Sequence, residues 1–358
     1  MLVPAVAALL MPSTAVLAEP TVSPDADAEE SASRRYSTRE ERREAGIRHR
    51  VYDWLSVAGL AELEVFYFDS GVAADAGRSR ADETTKTIQL GAELTPADRI
   101  NLEVYVEYED EINAFRLDEA LLAVELGEGE LELGRYAVPF GEYFSRFATG
   151  PLVEFGETSG RAVTATAGFE IGLDISVFAY RGDARAESNG RGLDWGFALE
   201  GAFGGAGNWG LSYLSDLADA DERPLADEGN RYRRRVDAVS GHAVVGFHAF
   251  ELSAEFVAAR RPFAELDAAF DRPRAWNLEL AWYPLPRLET ALRIEGSREL
   301  EDAPRSQVGV AVSIQPVPTM FLTLDYLHGR FARGAAEDDA GRALDSVNTI
   351  GALLSIEF

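Results

Sequence analysis

The chain of 358 residues has no cysteine and a single lysine, Lys86. The first absence excludes a disulfide framework, a thiolate metal site and a cysteine nucleophile. The second leaves basic character to arginine, whose planar, paired donors suit fixed contacts with carboxylates and phosphates. Long apolar runs are also missing. Beyond the N-terminus no stretch of about 18 apolar residues occurs, which excludes a helical membrane protein. Positive charge is outnumbered, 34 Lys and Arg against 61 Asp and Glu, and a net charge of −27 argues against a nucleic-acid partner. Histidine is confined to His49, His242, His248 and His328, which leaves little material for acid–base catalysis. Ser240 and His242 would share a strand face, but no third group orients the imidazole, so no enzyme is expected. The acidic run Asp216, Asp219, Asp221 and Glu222 lacks the spacing of a calcium loop. No metal or cofactor is expected.

What is present is alternation. A hydrophobic content of 46% and a mean hydropathy of −0.13 fit many soluble proteins. They also fit a β-barrel, whose strands carry apolar residues only at every second position. Residues 1–18 read as a signal peptide, with an apolar run from Leu2 to Leu17 and small residues at Ala15 and Ala18. No Lys or Arg precedes Arg34, which suggests a translation start upstream of Met1. Residues 19–50 are polar and charged and read as a periplasmic extension, disordered or forming a short helix after Thr38.

From Val51 to Phe358 the period is two. Ile100, Leu102, Val104, Val106 and Tyr108 share one face and Asn101, Glu103, Glu107 and Glu109 the other, a split no amphipathic helix produces. It recurs at Trp276, Leu278, Leu280 and Trp282 against Asn277 and Glu279, and at Val308, Val310, Val312 and Ile314 against Gln307 and Gln315. Sixteen strands are predicted, at about 54–68, 84–95, 99–110, 116–126, 129–137, 161–168, 172–182, 193–203, 207–216, 236–247, 248–260, 273–283, 287–298, 305–315, 318–331 and 346–358. Short turns alternate with long polar loops such as 69–83, 138–160, 217–235 and 332–345. This pattern distinguishes an all-β, antiparallel, up-and-down transmembrane barrel from a soluble sandwich. Trp54, Tyr67, Tyr108, Trp195, Trp209, Tyr213, Trp282 and Tyr283 fall at strand ends, as interfacial aromatic girdles require. Phe358 ends an alternating strand, the signal read by the barrel-assembly machinery.

Three segments carry a family resemblance: Leu117-Asp118-Glu119-Ala120, then Leu133-Gly134-Arg135-Tyr136-Ala137-Val138-Pro139-Phe140-Gly141, then Gly150-Pro151-Leu152-Val153-Glu154-Phe155-Gly156-Glu157-Thr158. Together they resemble the LbtU family of siderophore porins over roughly residues 55 to 185, with Gly150 where that family usually has Asp. The resemblance implies passive uptake of a ferric chelate through an outer-membrane pore in a Gram-negative bacterium. A general or ion-selective diffusion porin and a closed structural or adhesive barrel are the alternatives. An energy-coupled receptor would need about 22 strands and a plug, more than the chain supplies.

The loop 138–160 joins the fifth and sixth strands, where a long loop commonly folds inward to narrow a sixteen-stranded pore. It carries Phe140, Glu142, Tyr143, Arg146, Glu154 and Glu157, with Arg161 at the next strand start. The resembling strands add Asp118, Glu119 and Arg135 to this set of pore or solute contacts. The alternative is that the aromatics pin the loop to the wall and the charges pair with one another. Arg231, Arg233, Arg234 and Arg235, with Arg260 and Arg261, form a second basic cluster near the rim, suited to lipopolysaccharide phosphates, to pairing with neighbours such as Glu228 and Asp237, or to capture of an anionic ferric chelate at the mouth. Outer-membrane lipid and lipopolysaccharide are expected partners, and the chain is expected to be a monomer or homotrimer.

Overall fold

A computed structural model describes residues 49–358 except 74–76, 111–112, 183, 187–191 and 227–228. The predicted signal peptide and nearly all of the predicted extension lie outside the described residues. A short strand, His49–Tyr52, pairs with the start of the first long strand.

Sixteen long strands follow: β1 (Leu55–Val72), β2 (Arg78–Ala97), β3 (Ile100–Glu109), β4 (Ala114–Leu126), β5 (Gly129–Ala137), β6 (Ser159–Phe169), β7 (Leu173–Arg181) and β8 (Asp194–Ala202). The second half is β9 (Gly207–Leu214), β10 (Ala238–Phe247), β11 (Phe250–Ala259), β12 (Arg274–Leu285), β13 (Leu288–Arg298), β14 (Ser306–Val317), β15 (Met320–Arg330) and β16 (Leu344–Glu357). Each pairs antiparallel with its chain neighbour, and β16 pairs with β1, so the sheet closes on itself. Closure removes the unpaired edges that an open sheet would expose. At the seam the Phe358 carbonyl accepts from the Gly59 amide at 2.7 Å and the Phe358 amide donates back at 2.9 Å. A Cβ at Gly59 would overlap the Phe358 ring, so a glycine is required where the terminal aromatic lies across the first strand.

The period-two reading assigns the faces. Leu292 and Ile294 stand outward, 57% and 50% exposed, while Arg293 between them is completely buried. Val308, Val310, Val312, Leu324 and Ile350 continue the outward apolar belt, and Thr87, Gln89, Asn277, Glu279, Gln307 and Thr323 face inward. Aromatic pairs bound the belt. Trp195 and Tyr213 lie 5.2 Å apart at the long-loop end, and Phe247, Phe250 and Trp282 stack at the short-turn end. Tyr283 departs from the girdle expectation: it is buried and faces the lumen, because parity places it opposite Trp282.

The other departure is the first hairpin. Much of the predicted loop 69–83 is strand, with β1 and β2 paired up to Gly71 and Arg78. Above the membrane no apolar face is needed, so hydropathy carries no signal there. The pairing is held instead by Asp69, which meets Arg78 at 2.6 Å and Arg80 at 3.6 Å across the strands.

Candidate functional site

Residues 138–158 leave the wall after β5 and return at β6. Pro139, Gly141 and Tyr143 turn the chain inward, the latter two with φ of 80° and 53°, a left-handed region cheap for glycine and costly for tyrosine. Pro151 then precedes a short 3-10 helix, Leu152–Gly156. A Cβ at Gly150 would meet the end of the flexible Glu154 side chain, which could move aside.

An irregular segment inside a barrel has unpaired amides that must find acceptors. Here wall carboxylates supply them. Glu255 on β11 accepts the Glu142 and Tyr143 amides at 2.7 and 2.8 Å. Glu279 on β12 accepts the Arg146 amide at 3.1 Å, Glu295 on β13 the Leu152 amide at 2.8 Å, and Asp325 on β15 the Thr149 amide at 3.0 Å. Ser212 on β9 accepts from Gly141 at 3.1 Å. The segment therefore crosses the lumen and seats on the wall from β9 to β15.

Two arginines complete this latch from opposite directions. Arg146, on the segment, is paired with Glu251, with Glu289 at 2.7 Å and with Glu279 at 3.8 Å, and its Nε donates to the Tyr283 hydroxyl at 3.3 Å. Arg293, on the wall, donates to the Thr149 and Gly150 carbonyls at 3.0 and 3.1 Å and to Ser145. It also pairs with Glu279 at 2.8 Å and Glu295 at 3.4 Å. Each guanidinium lies 4.1 Å from a ring centroid, Arg146 over Phe144 and Arg293 over Phe147. Phe147 packs in turn against Ala291, Ala311 and Leu327 of the wall.

Of the residues singled out from sequence, Phe140, Glu142, Tyr143, Arg146, Glu154 and Glu157 do come together on the segment. Phe140 and Tyr143 join an apolar cluster with Val153, Leu217, Leu225 and Val236 at the mouth. Glu142 lies 3.8 Å from His242, beyond hydrogen-bond length. Asp118 faces the lumen from β4 and accepts from Gln89 at 2.9 Å, and Glu119 stands opposite the inward Tyr105. Arg135 and Arg161 do not join the set. Both are exposed on the outward face, because Tyr136 and Thr164, their alternating neighbours, hydrogen-bond to each other inside at 2.8 Å. The wall partners of the segment were not among the residues singled out, Arg293 and Glu279 chief among them. An arginine in mid-strand at a lumenal position was the sequence signal for the first; Glu279 shows only the wet parity common to many others.

The second basic cluster is largely paired. Arg260 and Arg261 meet Asp237 at 2.8 and 3.3 Å, and Arg235 meets Asp194 at 2.6 Å. Residues 215–226 and 229–237 fold over the mouth, with Asp216 completely buried and accepting from the Ala218 and Val236 amides at 3.2 and 3.3 Å. Burial pushes the Asp216 carboxyl up to about 7; the charges of Asp194 and Asp219 add to the rise and the Ala218 and Val236 amides oppose it.

The opposite wall is different. Inward positions of β1–β4 carry Glu62, Glu64, Glu93, Glu103, Glu107 and Glu119, and among the described residues of those faces Arg116 is the one cation. Glu64, Glu93, Glu103 and Glu119 are only half-buried, whereas Glu279 and Glu295 beneath the latch are completely buried. Solvent thus reaches these four carboxylates, though not the buried Glu62 and Glu107 beside them, and it does not reach Glu279 or Glu295.

Closed antiparallel sheet, sixteen long strands, outward apolar belt and inward-folded fifth connector define the porin fold. No family model matches the sequence, and no curated protein matches it. Among solved structures, an anion-selective porin from Comamonas acidovorans superposes with a TM-score of 0.62 at 12% identity, covering 85% of this chain and 99% of that one. OmpF of Salmonella typhi, solved with daunomycin, gives 0.60 at 12% identity, covering 87% and 100%. OprB of Pseudomonas putida gives 0.58 at 12%, covering 85% and 94%. At such identities the likeness is one of fold.

Proposed function

We propose that the chain is an outer-membrane porin of a Gram-negative bacterium, a passive aqueous path for small solutes that prefers cations. The observation carrying this reading is the asymmetry of the lumen. Residues 138–158 and their countercharges fill the β9–β15 side, and the water-accessible remainder runs along the acidic inward faces of β1–β4. A half-buried row of carboxylates concentrates cations in the passage and repels anions at low ionic strength.

Uptake of a ferric siderophore is the finer reading, supported by the resemblance of residues 117–120, 133–141 and 150–158 to siderophore porins. That reading would need arginines such as Arg146 and Arg161 to hold the anionic oxygens of the chelate. Arg146 is already neutralised by Glu251, Glu279 and Glu289, and Arg161 points away from the lumen, so neither is poised to hold an anionic chelate. Reversal potentials across planar bilayers in a salt gradient test the main reading. Cation preference that shrinks as the Debye length falls from about 30 Å at 0.01 M to about 3 Å at 1 M is expected. Strong anion selectivity would overturn it, and a siderophore flux exceeding that of a neutral sugar of equal size would restore the finer reading.

A further inference from the structure

Arg135, Arg161 and Arg181 are direct cross-strand partners. In the register of β5, β6 and β7, Arg135 opposes Arg161 and Arg161 opposes Arg181. All three are exposed and point outward, at the long-loop end of their strands. Directly opposed side chains have Cβ atoms about 5 Å apart, and like charges so placed repel. Among the described residues no ion pair relieves Arg161 or Arg181, and Arg135 shares only a through-space attraction with Asp221. A sheet that lines up three exposed cations with so little countercharge on their outer side is arranged for an anion supplied from outside.

The depth of the row identifies that anion. One pleat below it, about 7 Å along the strands, the outward positions are Leu133, Val163, Ala179 and Trp195, themselves in register. Leu133, Val163 and Trp195 are 37%, 43% and 49% exposed, so the apolar belt begins directly beneath the arginines. Trp195 packs against Tyr213 with the two rings tilted, as part of the aromatic boundary. Charge at this level meets lipid headgroups of the outer leaflet. Beside the row, β4 and β5 stop pairing above Ala120 and Arg135, and a cavity of about 230 Å³ opens there toward the mouth, lined by Arg135 and Arg181 but also by Asp118, Asp219 and Asp221, so the anion is held on the outer side of the row and not in that cavity.

We propose that Arg135, Arg161 and Arg181 form a binding site on the outside of the barrel for the phosphates of a phosphorylated glycolipid of the outer leaflet. Planar guanidinium groups on adjacent strands grip phosphate oxygens in pairs, and the acyl chains run down the Leu133, Val163 and Val177 surface. The site stands whether or not the lumen conducts cations.

Native mass spectrometry of the detergent-solubilised full barrel tests it, with bisphosphorylated lipid A, monophosphorylated lipid A, a neutral phosphatidylcholine and inorganic phosphate as probes. One bisphosphorylated lipid A is expected to be retained, more strongly than the monophosphorylated form, with no competition from phosphate alone. Arg161→Gln should weaken retention about tenfold, the loss of one charge-assisted contact. Arg287→Gln, the same charge change at the short-turn end, should leave it unchanged. Heat-modifiable migration reports folding of each variant. Equal retention by wild type and an Arg135→Gln/Arg161→Gln/Arg181→Gln triple variant would overturn the proposal, as would phosphatidylcholine binding as well as lipid A. A disulfide forming between two copies through Arg161→Cys would also overturn it, since the row would then lie in a subunit interface.

Discussion

Arg146 shows how one side chain serves the wall rather than a solute. Its guanidinium is sealed among Glu251, Glu279 and Glu289 and backed by Phe144, so its removal strands carboxylates out of water. Breaking a buried ion pair by deleting one partner costs about 3–5 kcal/mol. Arg146→Gln should therefore release residues 138–158 from the wall, raising single-channel conductance and current noise while the barrel remains heat-modifiable. Loss of anion flux at unchanged conductance would instead make Arg146 a solute ligand. On the outside, Val310 is 43% exposed in the apolar belt. Val310→Arg should destabilise the folded barrel by about 2–4 kcal/mol in urea titrations in bilayers. The same substitution at Glu279 would fail for another reason, since that carboxylate already binds Arg146 and Arg293.

Among connectors, the two that fill the mouth are built differently. Residues 138–158 hang on charged contacts to the wall, and residues 215–237 contribute Leu217, Leu225, Tyr232 and Val236 to an apolar cap over them. Beneath that cap Asp216 has one oxygen, Oδ2, without a hydrogen-bond partner. Its folded-state carboxyl is raised from 3.8 to about 7, so it favours the closed cap fully below the unfolded value and loses that contribution as pH rises through about 7. Protease cutting within 215–237 should accelerate between pH 6 and pH 8.5 relative to an Asp216→Asn protein, which stays neutral throughout. Parallel behaviour of the two proteins would remove Asp216 as the cause.

At the scale of the whole barrel, closure depends on β16 finding β1, and the last residue is part of that seam. Gly59→Val should displace the Phe358 ring and slow assembly, read as a smaller heat-modifiable fraction after a fixed folding time. The passage should carry its selectivity on β1–β4. Glu64→Gln and Glu103→Gln together should reduce cation preference at low salt, while Glu279→Gln, beneath the latch, should change conductance through loss of docking. Equal shifts of reversal potential in both would mean that selectivity is not set by the water-accessible wall.

The alternation of residues such as Leu292, Arg293 and Ile294, with the lengths of the connectors, was enough to set strand number, pairing order and which side chains meet lipid, because a closed up-and-down sheet follows from local period and neighbour pairing. That logic failed where hydropathy falls silent, at the polar extension of β1 and β2, which an Asp69 ion pair holds together. The segment 138–158 could be marked as the inward connector, but its partners could not. Glu255, Glu279, Arg293 and Asp325 come from strands more than 100 residues away, and only closure of the barrel brings them beneath it. Parity also held facts that the motif obscured: Arg135 and Arg161 fall within or beside the family-like segments, yet their outward positions turn them toward the membrane. Which arginine is latched inside and which is offered to lipid was decided by tertiary structure, since charge type is local while the company each charge keeps is not.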